Sequence, residues 1–284
     1  MRNSLVEARQ AFSADWPEAT RQVQGRRWGL IRAGDSGPAL VLLPGTLGRA
    51  DIFWQQIAAL HGEARILALS YPGAGSVAEW AEDIAALIDA FGLEGATVLG
   101  SSLGGYLAQY TTARHGALCG GLVAANTLPD AGIVTGLPPY ALDLDHVAID
   151  VLRDGFLAGL QNWLEPGHAY ADLAGLLSGE VHGRIPEDQM RARLKALKHA
   201  PALPAQVLPR DRIFTVESDD DHLIPPPVRV ALRTVLRPVR AYRFTAASHF
   251  PYVTRPAAYT ALLREVLGLA PVGAVWPEGG ESRM

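Results

Sequence analysis

The chain has 284 residues, 49% of them apolar, and a formal net charge of -4, enough for one large domain with a substantial core. The mildly acidic balance argues against a nucleic-acid partner, which usually needs a concentrated basic face, and no apolar run approaches the length of a membrane span. A single cysteine, Cys119, excludes an internal disulfide framework and a Cys-rich zinc site, and is expected to pack in the core.

In chain order, residues 1–20 read as a short amphipathic helix ending near Trp16-Pro17, without the uninterrupted apolar stretch of a secretory signal. A cytoplasmic location is therefore expected. Trp28-Gly29-Leu30-Ile31 is an early strand, closed by a turn over residues 34–38. Residues 39–43 form a continuous apolar strand and 52–60 a helix. Residues 65–70 are a strand, and 77–91 a long helix with Ile84, Leu87, Ile88 and Phe91 on one face. Ala96-Thr97-Val98-Leu99 is strand-like, a helix starts at Gly105, and 121–125 is another strand. Apolar strands alternating with helices predict an α/β fold, a mostly parallel sheet covered on both faces.

The alternation breaks over residues 131–210, which read as a helical cap or lid insertion. Its helices are expected over 151–164 and 170–177, and after Pro186-Glu187-Asp188, where Met190, Leu194 and Leu197 share a stripe. Arg191, Arg193 and Lys195 are expected on a solvated face. Strands resume at 212–216 and 240–245, followed by a helix over 256–267. The organisation is thus a core of residues 1–130 and 211–269, the insertion, and a Pro/Gly-rich tail over 270–284 expected to be loosely held. The near-absence of lysine beside abundant arginine is common in GC-rich bacterial genomes, and points to a bacterial origin.

The chemistry concentrates in two motifs. Gly100-Ser101-Ser102-Leu103-Gly104, between a strand and a helix, has the Gly-x-Ser-x-Gly form of a nucleophile elbow, with Ser102 as nucleophile. A serine hydroxyl needs a base in reach and an acid to orient that base. His249, in Ala246-Ala247-Ser248-His249-Phe250-Pro251 after the last core strand, is the expected base. His61, His115 and His199 sit near helix ends, and His146, His168 and His182 in the insertion. The acid is expected at Asp221, from the register of Val216-Glu217-Ser218-Asp219-Asp220-Asp221-His222-Leu223-Ile224-Pro225. Asp219, Asp220, Glu217 and Asp130 stand as alternatives. Two backbone N–H groups are expected to receive an oxyanion: Leu103, and Thr46 (Leu47 second) in Pro44-Gly45-Thr46-Leu47-Gly48.

Together these residues resemble the α/β-hydrolase superfamily. Pro44-Gly45 stands where the superfamily has His-Gly, and Tyr71-Pro72-Gly73 and His249-Phe250-Pro251 resemble its later motifs. Trp28-Gly29-Leu30, Leu43-Pro44-Gly45-Thr46, Ala50-Asp51-Ile52-Phe53-Trp54-Gln55-Gln56-Ile57, Ala68-Leu69-Ser70-Tyr71-Pro72 and the elbow resemble the maspardin branch. The superfamily resemblance implies a serine hydrolase acting on a small-molecule acyl substrate, with no metal or organic cofactor. The maspardin resemblance implies instead a binding or adaptor role with an incomplete triad. The chain departs from that branch in carrying His249 with aspartates upstream, which favours catalysis.

Overall fold

The computed structural model describes residues 3–165, 167–278 and 280–284. Met1 and Arg2 of the expected first helix, Pro166 of the insertion and Gly279 of the tail lie outside the described residues.

Among the described residues the framework is a nine-stranded sheet. Its strands are β1 (Ala19–Val23), β2 (Arg26–Ala33), β3 (Ala39–Leu43), β4 (Arg65–Ser70), β5 (Ala96–Ser101), β6 (Cys119–Ala125), β7 (Ile213–Ser218), β8 (Arg240–Phe244) and β9 (Glu281–Arg283). They lie in the order β1-β2-β4-β3-β5-β6-β7-β8-β9, and only the β1–β2 and β2–β4 pairings are antiparallel. The parallel strands β3, β4, β5, β6, β7 and β8 therefore all point their carboxyl ends to one edge.

Every residue of β3 and β5 is buried, because helices cover both faces of the sheet. The twofold alternation of a strand assigns its side chains to two cores. Val41 and Leu43 pack with α3 (Val77–Ala90) and α4 (Leu103–Arg114), while Leu40 and Leu42 pack with α1 (Ser4–Asp15), α2 (Trp54–Leu60) and the helix Pro256–Val266. α3 starts on a reciprocal cap, Ser76 and Glu79 each bonding the other's backbone N–H. Cys119 opens β6 in the core, where burial pushes its thiol up to about 12.

Between β6 and β7 stand α5 (Ile149–Leu160), α6 (Ala171–Gly179) and α7 (Glu187–Lys198). Leu144, Leu152, Ile185, Met190 and Leu194 form a small core within this segment. Leu173, Leu176 and Leu177 of α6 join the sheet core beside α1. Arg9 and Arg184 both bind Glu180, and Arg184 also reaches Asp51 at 2.6 Å, an ionic link between α1, the insertion and the segment before α2 in which Arg9, Asp51 and Glu180 are buried and Arg184 is exposed.

The strand β1 has four of its five residues exposed on the sheet edge and is tied to β2 by a two-residue turn in which Gln24 and Gly25 have positive φ. Two expectations need correction. The tail is not loosely held. Trp276 is 3% exposed, its ring set edge-on to Tyr242 and Phe244, and β9 then pairs with the open edge of β8. Arg193 does not lie on a solvated face: its side chain is fully buried. No helix among the described residues is long and apolar enough to cross a membrane.

Candidate active site

Ser102 occupies the junction between β5 and α4 at φ 56°, ψ -119°, a strained conformation for a residue with a Cβ. Its N–H donates to Ala125 O at 3.0 Å, and its carbonyl accepts from Thr127 Oγ1 at 2.7 Å and Tyr106 N at 3.0 Å. The backbone is thus held while the hydroxyl, half-buried, makes no hydrogen bond among the described residues. Two glycines make the turn sterically feasible. A Cβ on Gly104 would stand 2.2 Å from Leu43 O, and one on Gly100 would stand 1.9 Å from Gly104 O.

His249 follows β8 and is 5% exposed. Its Nδ1 lies 2.8 Å from Oδ2 of Asp221, which is itself 3% exposed and follows β7. The same Oδ2 accepts from Asn126 Nδ2 at 2.9 Å, and Oδ1 accepts the N–H groups of Leu223 and Ile224 at 2.9 and 3.1 Å. Burial would raise the Asp221 carboxyl, but the adjacent imidazole and these hydrogen bonds outweigh it and hold it below the usual carboxylate range. An ionised acid in this position fixes the imidazole tautomer with Nδ1 protonated and Nε2 free to accept.

The other carboxylates have different partners. Glu217 pairs with Arg233 and Arg243, and Asp219 with Arg243 and Arg283. Asp130 caps its own turn by accepting from Gly132 N at 2.8 Å. Asp220 accepts from Ala247 N, Ser248 N and the Tyr170 hydroxyl. Of the other histidines, His115 meets Glu82, His146 meets Asp143, and His182 meets Ser178 O.

The loop after β3 runs against the elbow, since a Cβ on Gly45 would lie 3.2 Å from Ser102 Cβ. Leu103 opens α4, so its N–H has no acceptor within the helix and stands at the positive end of the helix dipole. The loop around Thr46 is fixed from two sides. Tyr71 OH donates to Pro44 O at 2.7 Å, and Arg193 Nη1 donates to both Thr46 O (2.7 Å) and Gly48 O (2.8 Å). Burial drives the Arg193 guanidinium down to about 10, still cationic at neutral pH, and it lies over the Tyr71 ring at 5.2 Å.

Asn126 and Arg193 escaped the motif reading. Arg193 had a signal, because it stands three residues after Met190, on the stripe that also carries Leu194 and Leu197. Asn126 had a weaker one: it directly follows β6 at φ 43°, a conformation that asparagine tolerates better than most residues. Among the described residues no three His, Cys, Asp or Glu side chains gather as a metal site.

The model of the alpha/beta hydrolase family matches residues 40–262. Maspardin from Rattus norvegicus is 40% identical over 85 residues, covering 29% of this chain and 33% of the relative; maspardin from Homo sapiens is 39% identical over 85 residues, with 29% and 28% covered. The chain thus spans a third or less of the length of these curated relatives. Among solved structures, the enol-lactonase from Burkholderia xenovorans LB400 is similar with a TM-score of 0.72 and 18% identity, over 88% of this chain and 100% of that one. An esterase from Rhodococcus sp. ECU1013 is similar with a TM-score of 0.69 and 20% identity, over 89% and 98%. At such identities the likeness is one of fold.

Proposed function

The chain belongs to the alpha/beta hydrolase family, and from that premise we propose that it is a serine hydrolase cleaving an ester or a related acyl compound. The observation that carries this reading is the 2.8 Å bond between His249 and Asp221, at the sheet edge where Ser102 sits on its strained turn. His249 Nε2 takes the proton of Ser102 Oγ as that oxygen adds to the acyl carbonyl. The N–H groups of Leu103 and Thr46 receive the oxyanion. Collapse of the tetrahedral intermediate breaks the bond to the leaving group, which takes the proton from His249 and departs. Water, activated by the same imidazole, then releases the acyl group and restores Ser102. No hydrogen bond joins Ser102 to His249 among the described residues, as is common for catalytic contacts that tighten once substrate is bound.

A small to medium, largely uncharged acyl group fits the surroundings. Leu47, beside Thr46, packs partly buried against both the sheet core and the insertion, near clusters that include Tyr140, Phe156, Trp163 and Tyr170. A cytoplasmic setting suits the single, buried Cys119. The test is a panel of p-nitrophenyl esters with acyl chains of increasing length, assayed on the parent and on Ser102→Ala. Turnover of short and medium uncharged chains that Ser102→Ala abolishes supports the reading; turnover confined to charged acyl groups overturns the substrate class.

The local likeness to maspardin favours a second reading, a non-catalytic adaptor that keeps the fold. Such a protein has no need of a buried carboxylate bonded to a buried imidazole, and folded parent inactive across the panel would favour it.

A further inference from the structure

Asp220, one residue before the expected acid, has a separate set of contacts. Its Oδ1 accepts the N–H groups of Ala247 and Ser248, both at 3.0 Å, and its Oδ2 accepts the Tyr170 hydroxyl at 2.6 Å. The two amides belong to the residues directly before His249. That loop is strained: Ala246 and Ser248 have φ of 48° and 53°, in the left-handed region that residues with a Cβ avoid. Such a conformation persists only where the surroundings hold it. Thr254 Oγ1 adds one restraint, donating to Ala247 O at 2.8 Å. The carboxylate supplies two more, to the residues directly before His249.

Tyr170 belongs to the inserted segment, just before α6, and its ring packs against Trp163 and His168. Asp220 is therefore where the insertion meets the loop that carries the imidazole. Burial alone would raise its carboxyl, but the hydrogen bonds from Tyr170, Ala247 and Ser248 outweigh it and keep the group ionised, the better acceptor for all three.

We propose that Asp220 is a positioning residue: it sets the His249 loop, and through Tyr170 it links the placement of the base to the seating of the inserted helices. The role rests on the reading of His249 as base. Without the carboxylate two amides lose their acceptor, the positive-φ residues relax, and the imidazole shifts relative to Ser102. A misplacement of about 1 Å costs roughly a hundredfold in rate.

The experiment compares Asp220→Ala, Asp220→Asn and Tyr170→Phe with the parent and His249→Ala. Readouts are the rate of fluorophosphonate labelling, kcat and KM on the best ester of the panel per labelled site, and hydrogen–deuterium exchange over residues 244–250. Asn keeps an acceptor oxygen for the two amides, and its amide NH2 can donate to the Tyr170 hydroxyl. Asp220→Ala is expected to lower labelling rate and kcat by about 10- to 100-fold with KM within about threefold, and to speed exchange in the loop. Asp220→Asn should stay within about threefold of the parent, and Tyr170→Phe should lose about two- to fivefold. Parental labelling and exchange in Asp220→Ala would overturn the proposal while leaving the hydrolase reading intact. If Asp220→Ala does not fold, parental behaviour of Tyr170→Phe in both readouts overturns the link to the insertion. Labelling of the parent that survives His249→Ala would overturn the base assignment and the role of Asp220 with it.

Discussion

Asp220 and Asp221 are neighbours in sequence and hold the same loop at two points, Asp221 by the imidazole of His249 and Asp220 by the N–H groups of Ala247 and Ser248. One carboxylate orients the ring and the other orients the backbone beneath it. A turn after β7 that presents consecutive aspartates thereby fixes a side chain delivered by β8, the adjacent parallel strand.

Asp221→Asn tests the first of these grips. An amide in place of the carboxylate no longer stabilises an imidazolium and favours the wrong tautomer, which in a serine triad costs roughly 10⁴ in kcat. Asp221→Asn is expected to lose on that order in ester turnover. Asp130→Asn, whose carboxylate accepts from Gly132 N in its own turn, should stay within about twofold of the parent. A reversed ranking of the two variants would move the acid to Asp130.

The pH dependence of stability follows from the direction in which Asp221 and Asp220 are shifted. Both carboxyls are held below their ordinary value in the folded chain, so the unfolded chain binds their protons first as pH falls. Their stabilising contribution is complete above the unfolded value of about 3.9 and is lost as pH drops through the lower folded values. Tm measured from pH 7 to pH 3 is expected to fall at the acid end, and less steeply in Asp221→Asn. Equal slopes in the two proteins would show that Asp221 is not held ionised by its partners.

Arg193→Met removes a buried cation and leaves the Thr46 and Gly48 carbonyls without their donor. Relief of guanidinium desolvation offsets part of the loss, but each unsatisfied buried carbonyl costs about 1–3 kcal/mol. A net destabilisation of about 1–3 kcal/mol is expected in urea unfolding. Ester turnover should drop about tenfold as Thr46 loses its anchor. A variant of parental stability and turnover would show that the 44–48 loop holds itself.

Two glycine substitutions separate close approach from simple helix propensity. Gly104→Ala places a Cβ 2.2 Å from Leu43 O and is expected to give insoluble or strongly destabilised protein. Gly155, inside α5, has open space around the added methyl, so Gly155→Ala should raise stability by about 0.5–1 kcal/mol. Thermal melts of both variants check the contrast, and a tolerated Gly104→Ala would contradict the tight packing of the elbow against β3.

The parts of the molecule that the sequence made legible are those where one physical demand dominates. A strand buried on both faces must be apolar throughout, so residues 39–43 and 96–99 declare themselves. The elbow declares itself because only glycine fits at Gly100 and Gly104, between strand and helix. What stayed hidden depends on partners distant in the chain. The strand β9 forms because Trp276 finds Tyr242 and Phe244, more than thirty residues away, and nothing in its own polar sequence signals that. Arg193 reads as solvated because charge usually is, yet here it takes an apolar position to reach two carbonyls about 145 residues upstream. In the run of carboxylates from Glu217 to Asp221, register points to Asp221 as the one that meets His249, but that Glu217 and Asp219 hold arginines and Asp220 holds backbone is visible only in the three-dimensional arrangement.

Whether Ser102 is an activated nucleophile is decided by labelling with a fluorophosphonate, followed by mass-spectrometric localisation of the adduct. A single adduct is expected on Ser102 of the folded parent, absent from Ser102→Ala and His249→Ala. Folded parent that stays unlabelled, or that is labelled equally well without His249, would contradict activation of Ser102.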